Sequence, residues 1–185
     1  ISFFFLNILV FLCITEFFEL IKKISKKKII QISIFFISLS YILFFYFTVL
    51  FYLYYSSDIY LLFFLILICI SSDSGGYIFG KLIGGKKLTS ISPNKTYAGS
   101  IGSFSFSLIF VFIFKEYISI QHNIYYFTLL MSLLCQMGDL IISYIKRSAK
   151  IKNTGNILPG HGGILDRVDG ILLVLPSGIL IILNL

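Results

Sequence analysis

The fold class is decided by IIQISIFFISLSYILFFYFTVLFYLYY, residues Ile29–Tyr55, because this run contains no acidic or basic side chain. A helix needs roughly 20 consecutive apolar residues to cross a hydrocarbon core of about 30 Å. The run exceeds that length and is long enough to be tilted. Hydrophobic residues make up 58% of the chain and the mean hydropathy is +0.98, whereas soluble domains contain roughly 45–50% apolar residues. The chain is therefore predicted to be an all-α, polytopic helical integral membrane protein.

Six apolar runs are predicted to span the membrane. They cover approximately 1–21, 29–55, 59–72, 98–114, 124–142 and 171–185. The organisation predicted from them has two parts. Residues 1–71 hold the N-terminal spanning helices with the basic loop 22–28, and residues 72–185 form a catalytic membrane region with polar loops 73–97 and 143–170.

The basic residues test this topology. The alternate loops 22–28, 73–97 and 143–170 hold all but one of the 15 lysines and arginines. Loops rich in Lys and Arg remain in the cytoplasm, so we expect these three loops, and an active site built from the last two, to face that side. The run Lys22–Lys28 has a simpler explanation, since such residues set orientation and bind anionic head groups.

Four of the eight acidic residues lie at the ends of apolar runs next to these loops: Asp73, which is discussed below, and Asp139, Asp166 and Asp169. Asp166 and Asp169 are three apart and would be neighbours on a helix. Asp139 would share one helix face with Lys146 or Arg147 if the fifth helix continues into the cytoplasm. Carboxylates so placed suit Mg²⁺, which takes oxygen ligands. The alternative for each carboxylate is a simple ion pair with a nearby lysine.

A glycine-rich run, Pro159–Gly163, stands just before Asp166. Glycines permit positive φ and let backbone N–H groups approach an anion closely. His161 lies between glycines and can donate to a phosphate or transfer a proton, while Arg167 can clamp a phosphate in a bidentate fork. A plain turn with an exposed histidine is the alternative.

A second polar cluster begins at Asp73 and combines glycines, lysines and hydroxyl side chains. Lys81, Ser92, Lys95 and Thr96 belong to it. Such residues suit phosphate binding, although the sequence is not a Walker A motif, since no G-K-[ST] follows a strand. The alternative is an ordinary polar membrane loop.

Together these segments resemble the phosphatidate cytidylyltransferases, also called CDP-diacylglycerol synthases. The family signature runs S-x-x-K-R, K-D, P-G-H-G-G and D-R-x-D. It is matched here by Ser143, Lys146, Arg147, Lys152, Pro159, Gly160, His161, Gly162, Gly163, Asp166, Arg167 and Asp169. The family's upstream segments are matched by Asp73, Ser74, Tyr77, Gly80, Lys81, Ser92, Pro93, Lys95, Thr96 and Gly99. One departure is Asn153, which stands where the family has the aspartate of K-D.

The resemblance implies that CTP and phosphatidate form CDP-diacylglycerol and pyrophosphate with Mg²⁺ as cofactor. It assigns Asp139, Asp166 and Asp169 to the metal, with Asp73 as a further ligand. The implied phosphate and substrate contacts are Lys146, Arg147, Lys95, Arg167, Lys81, Lys152, Ser92 and Thr96, with the triphosphate on Gly160, Gly162 and Gly163. His161 would donate a proton to the leaving pyrophosphate.

Other functions fit parts of the pattern. A CTP-dependent lipid-alcohol kinase, a transporter and a non-catalytic membrane scaffold are the alternatives. We expect CTP, phosphatidate and the lipid bilayer as partners, no nucleic acid, and a homodimer as an open alternative. The expected location is a bacterial inner membrane, and the chain looks shortened at its front relative to the family.

Overall fold

The computed structural model describes residues 2–24, 28–56, 59–89, 92–115, 123–155 and 162–183. Within these ranges the chain forms α1 (Ser2–Ile24), α2 (Lys28–Tyr55), α3 (Tyr60–Leu82), α4 (Tyr97–Phe114), α5 (Ile124–Ser148), α6 (Leu165–Val168) and α7 (Ile171–Leu183). Five of them, α1 to α5, are long and apolar enough to cross a membrane, and α7 is a shorter apolar helix of 13 residues. The all-α, polytopic membrane fold is thereby confirmed.

Two predicted loop boundaries are wrong, because helices continue beyond the apolar runs. Helix α3 ends at Leu82, so Asp73–Leu82 is helical and not part of a loop 73–97. Helix α5 ends at Ser148, so the loop predicted from 143 starts later. The physical reason is the same in both cases. Polarity marks where a helix leaves an apolar environment, whereas a helix ends only where backbone hydrogen bonding stops.

Helices α3 and α4 approach closely through glycines. A Cβ atom on Gly75 would overlap the Gly102 carbonyl oxygen, and one on Gly99 would lie 2.8 Å from the carbonyl oxygen of Gly76. Small residues of this kind let backbones of membrane helices come together. The polar end of α3 is therefore held directly against the first turns of α4.

The core lies where α3, α5 and α7 meet. Leu65, Ile68, Met131, Leu172 and Ile179 have no exposed surface there. The outward faces are apolar too: Phe36 is 62% exposed and Phe47 59% exposed. Extensive exposed apolar surface of this kind marks contact with a membrane. The bundle is therefore apolar both inside and outside, and polar chemistry is confined to particular positions.

The connection from α3 to α4 is described at residues 83–89 and 92–96, and backbone hydrogen bonds join the residues that follow α3 to the turn that precedes α4. Leu88 N donates to the Lys95 carbonyl oxygen at 2.7 Å, and Tyr97 N donates to the Lys86 carbonyl oxygen at 3.1 Å. Thr96 then caps α4, since its hydroxyl oxygen accepts a hydrogen bond from Gly99 N at 3.0 Å. This turn fixes Lys95 beside the polar ends of the helices.

Candidate active site

A polar cavity of about 350 Å³ lies between α3, α4, α5 and the turn that precedes α4. Its walls carry carboxylates, an ammonium group, hydroxyls and amides. Those that matter here are Asp73, Ser92, Lys95, Thr96, Gln136 and Asp139. The structure thus brings five predicted site residues to one cavity, although they come from three separate segments of the sequence.

Lys95 forms an ion pair with Asp139 in this cavity. Their side chains are 25% and 29% exposed, so both remain accessible. Ser143 Oγ also donates to Asp139 Oδ1 at 3.3 Å. Asp139, predicted as a metal ligand, and Lys95, predicted as a phosphate contact, are therefore direct neighbours.

Asp73 belongs to α3 and lines the same cavity. Cys135 Sγ donates to Asp73 Oδ1 at 3.7 Å. Gln136 follows on α5, where its Oε1 accepts a 2.5 Å hydrogen bond from Ser100 Oγ. Gln136 Nε2 is buried and has no hydrogen-bond partner among the described residues. An orphaned buried donor is costly, so this amide is a candidate to bind a ligand oxygen.

A second ion pair joins α5 to α6. Lys146 Nζ donates to Asp166 Oδ1 at 2.7 Å, and both side chains are about nine-tenths buried, with 12% and 11% exposed. Asp166 Oδ2 accepts from Thr154 N at 2.8 Å and from Gly163 N at 3.1 Å. Burial raises the pKa of Asp166, but the Lys146 ammonium and the two N–H groups outweigh it and leave the pKa below its usual value.

Asp169 follows α6 and interacts with Asp139. Its Oδ1 accepts from Gly170 N at 2.9 Å. Burial, and next the negative charge of Asp139, raise the pKa of Asp169 to about 8. Two facing carboxylates are the kind of oxygen ligands that Mg²⁺ prefers. The chemistry of this pair fits the predicted cation.

The four predicted metal ligands do not converge on one point. Asp139 and Asp169 face each other, Asp73 lines the same cavity as Asp139, and Asp166 is held by Lys146. No group of three or more His, Cys, Asp or Glu side chains that could hold a metal ion occurs in the described ranges. The ion pairs weighed for Asp139 and Asp166 are present, and the Mg²⁺ assignment stays a prediction.

Other predicted contacts lie elsewhere or outside the description. Lys81 is exposed on α3, where its Nζ stands 5.7 Å from the Tyr77 ring centroid. Arg147 is exposed and its Nη1 donates to the Ile151 carbonyl oxygen at 3.1 Å. Arg167 and Lys152 are also exposed. Gly160 and His161 lie outside the described residues.

The two glycines of the signature that the structure describes, Gly162 and Gly163, lie next to the Asp166 carboxylate. Gly162 has a φ of 85°, a left-handed conformation that glycine adopts without strain. Gly163 N donates to the Asp166 carboxylate. The predicted role of Gly162 and Gly163 in triphosphate binding stays a prediction, while their contribution to the geometry of Asp166 is visible.

Sequence reasoning missed Glu16. This residue is 2% exposed within α1, and its carboxylate accepts hydrogen bonds from Thr154 Oγ1, Ile164 N and Leu165 N. An ionisable residue inside an apolar run is a signal of function by itself. Its partners are far away in the sequence, and no local pattern could reveal them.

These features define a helical membrane protein with a polar site that contains two lysine–aspartate pairs. The chain belongs to the cytidylyltransferase family, which matches it over residues 1–184. This confirms the resemblance drawn from the signature.

Curated relatives agree with that assignment. A phosphatidate cytidylyltransferase of Staphylococcus aureus strain COL is 46% identical over 114 residues. The corresponding proteins of Staphylococcus haemolyticus and Staphylococcus epidermidis strain ATCC 12228 are 45% and 43% identical over 114 residues. Each alignment covers 60% of this chain but 44% of the relative. The matched segment therefore spans less than half of each relative's length.

Proposed function

We propose that this chain carries the site of a phosphatidate cytidylyltransferase, which makes CDP-diacylglycerol and pyrophosphate from CTP and phosphatidate. The observation that carries the proposal is that α5 contributes one member to each of two lysine–aspartate pairs, Lys95–Asp139 and Lys146–Asp166. Asp139 and Lys146 are seven residues apart, so they lie on one face of the helix at a separation of about 10 Å. All four residues lie in segments that match the family's motifs.

The reaction requires two anions to meet. An oxygen of the phosphatidate phosphate attacks the α-phosphorus of CTP, a new P–O bond forms, and pyrophosphate leaves with the electrons of the bond that breaks. The protein's task is neutralisation and alignment, because phosphoryl-type transfer needs little covalent chemistry from side chains. No protein nucleophile is required.

Lys95 and Lys146 supply the neutralising charge. A lysine ammonium has three N–H donors, so each can keep its aspartate and still donate to a phosphate oxygen. Preorganised charges of this kind usually contribute the largest share of catalysis. Lys95 would serve the ligand in the cavity and Lys146 the ligand nearer α6.

Asp139 and Asp169 are the residues that would hold Mg²⁺, with Asp73 and Asp166 as further candidates. A bound Mg²⁺ would neutralise phosphate charge and orient the reacting groups. Asp166 has a separate task in this chain, since its carboxylate fixes the position of Lys146.

The proposed orientation places the site at the cytoplasmic side of a bacterial plasma membrane. The distribution of basic residues supports it. CTP would enter from the cytoplasm and phosphatidate from the bilayer. A cysteine introduced in the turn before α4 would then react with an impermeant thiol reagent only from the inner side of oriented vesicles.

The activity is tested on purified protein with labelled CTP and phosphatidate, with products separated by chromatography. Formation of CDP-diacylglycerol together with pyrophosphate is expected. Release of CDP with a phosphorylated lipid would instead identify the lipid-alcohol kinase. Asp166→Asn should lower turnover about 100-fold or more. Lys115→Met, which changes an exposed cation after α4, is the matched control and should leave turnover unchanged.

A further inference from the structure

Glu16 lies in an apolar helix but does not face lipid. Its side chain is buried, with 2% of the residue exposed. The carboxylate contacts the chain segment on either side of the signature glycines. Thr154 Oγ1 donates to Oε2 at 2.8 Å, Leu165 N donates to Oε2 at 2.9 Å, and Ile164 N donates to Oε1 at 2.9 Å.

This carboxylate is held by neutral donors. Neither ion pair found among the described residues includes Glu16. Burying a charge is expensive unless hydrogen bonds satisfy it, and bonds to an ionised acceptor are roughly twice as strong as neutral ones. Three such bonds, one from Thr154 and two from the amides of Ile164 and Leu165, attach these two parts of the chain to α1.

Both parts of the chain also hold Asp166. The Thr154 hydroxyl lies 2.8 Å from Glu16 Oε2 and 3.1 Å from Asp166 Oδ2, so it can donate to either carboxylate, and Thr154 N donates to Asp166 Oδ2 at 2.8 Å. Gly163 N donates to Asp166, whereas the next two amides, of Ile164 and Leu165, donate to Glu16. Three consecutive amides, at residues 163–165, are thus divided between the carboxylates of Asp166 and Glu16. The conformation that satisfies Glu16 is the one that presents Asp166 to Lys146.

Gly155 and Gly163 pack closely against the Glu16 side chain. A Cβ atom on Gly163 would overlap both the Thr154 hydroxyl and the Glu16 carboxylate, and one on Gly155 would lie 3.0 Å from Glu16 Oε1. The φ of Gly163 is not in the left-handed region. Position 163 therefore requires glycine because the Thr154 hydroxyl and the Glu16 carboxylate leave no room for a side chain.

We propose that Glu16 is a positioning residue for cytidylyl transfer: it locks residues 163–165 and Thr154 so that Asp166 and Lys146 keep one geometry. The proposal rests on the proposed function of the site. It extends the machinery from the signature region to the first helix, about 150 residues earlier in the chain. A misplacement of about 1 Å can reduce turnover about 100-fold.

The experiment compares Glu16→Gln with Glu19→Gln, a matched change of an exposed carboxylate on the same helix. Hydrogen–deuterium exchange of the peptide covering 162–168 reports the loop, and steady-state kinetics report the site. The glutamine amide would turn an N–H group toward Ile164 N or Leu165 N. We expect exchange at these amides to rise about 10-fold or more, kcat to fall about 100-fold and both KM values to stay within about 3-fold. Glu19→Gln should change neither readout.

Thr154→Val gives an independent variant if Glu16→Gln does not fold. It removes the hydroxyl that contacts both Glu16 Oε2 and Asp166 Oδ2 but keeps the Thr154 N–H that donates to Asp166. A fall in kcat at unchanged KM is expected again. Normal kcat in either folded variant, or unchanged exchange at 163–165, overturns the positioning role. An inactive wild-type chain whose 163–165 amides are protected and become exposed in Glu16→Gln overturns the proposed function and leaves the loop attachment standing.

Discussion

Lys146 and Asp166 are joined by a 2.7 Å hydrogen-bonded ion pair that links the end of α5 to α6. The carboxylate also accepts hydrogen bonds from two backbone N–H groups, and the Thr154 hydroxyl lies 3.1 Å from its Oδ2. The pair is mostly buried, so its two charges depend on each other. The Asp166 carboxylate thus holds the Lys146 ammonium group in place.

Lys146→Met should impair both stability and activity. Asp166 would lose its cation but keep the Thr154 and Gly163 donors, so a loss of about 1–3 kcal/mol in unfolding free energy is expected. The double variant Lys146→Met/Asp166→Asn should recover most of that stability, because no unpaired charge remains, while turnover stays at least about 100-fold low. Denaturant titration in detergent and the CTP assay measure the two effects. Recovery of turnover in the double variant would contradict a direct role for either group.

Lys95→Met should lower activity but have little effect on stability. The Lys95–Asp139 pair is partly exposed, and such pairs contribute about 0–1 kcal/mol to stability. Loss of its charge in the cavity should nevertheless lower kcat/KM for CTP by about 10–100-fold. Lys22→Met removes a cation that lies over the Phe18 ring on α1 and serves as the control. Unchanged kcat/KM in Lys95→Met would exclude this lysine from the nucleotide site.

Gln136→Leu tests whether the orphaned amide serves a substrate. The change removes the bond from Ser100 but also removes a buried N–H group without a partner, so the two effects on stability should largely cancel, within about 1 kcal/mol. If Nε2 donates to a substrate oxygen, KM for one substrate should rise about 10-fold at little change in kcat. Saturation curves for CTP and phosphatidate show which substrate it contacts. Met137→Leu, at an exposed neighbouring position, is the control, and equal KM values in both variants would remove Gln136 from the site.

The fold could be predicted from the sequence because bilayer thickness imposes a length on every apolar run. The shared face of Asp139 and Lys146 also followed from helical periodicity, once α5 extends to Ser148. The partners of these residues could not be predicted. Lys95 reaches Asp139 only through the turn before α4 and the glycine contacts of α3 with α4.

The partners of Glu16 could not be predicted from the sequence either. Its partner Leu165 is 149 positions away, and the bond depends on how α1 packs beside α6. Periodicity reports which face of a helix is apolar, but not which neighbour it meets. The apolar run around Glu16 predicted a spanning helix and gave no indication that one of its carboxylates is bound by the signature loop.

Mg²⁺ removal should abolish turnover, and the pair Asp139–Asp169 should determine how much Mg²⁺ restores it. Burial and the negative charge of Asp139 raise the pKa of Asp169, so a divalent cation beside Asp169 would relieve a cost that the fold imposes. Asp169→Asn should therefore raise the Mg²⁺ concentration for half-maximal activity about 10-fold or more, in line with the effect of losing an important contact in a metal site. Activity measured after EDTA treatment across a Mg²⁺ titration, together with the Mg²⁺-induced rise in Tm, gives two readings of the same site.

Glu19→Gln controls for loss of surface charge. A wild-type Mg²⁺ dependence in Asp169→Asn would assign the metal to Asp166 and Asp73 instead, and full turnover in EDTA would mean that Lys95 and Lys146 neutralise the phosphates without a metal.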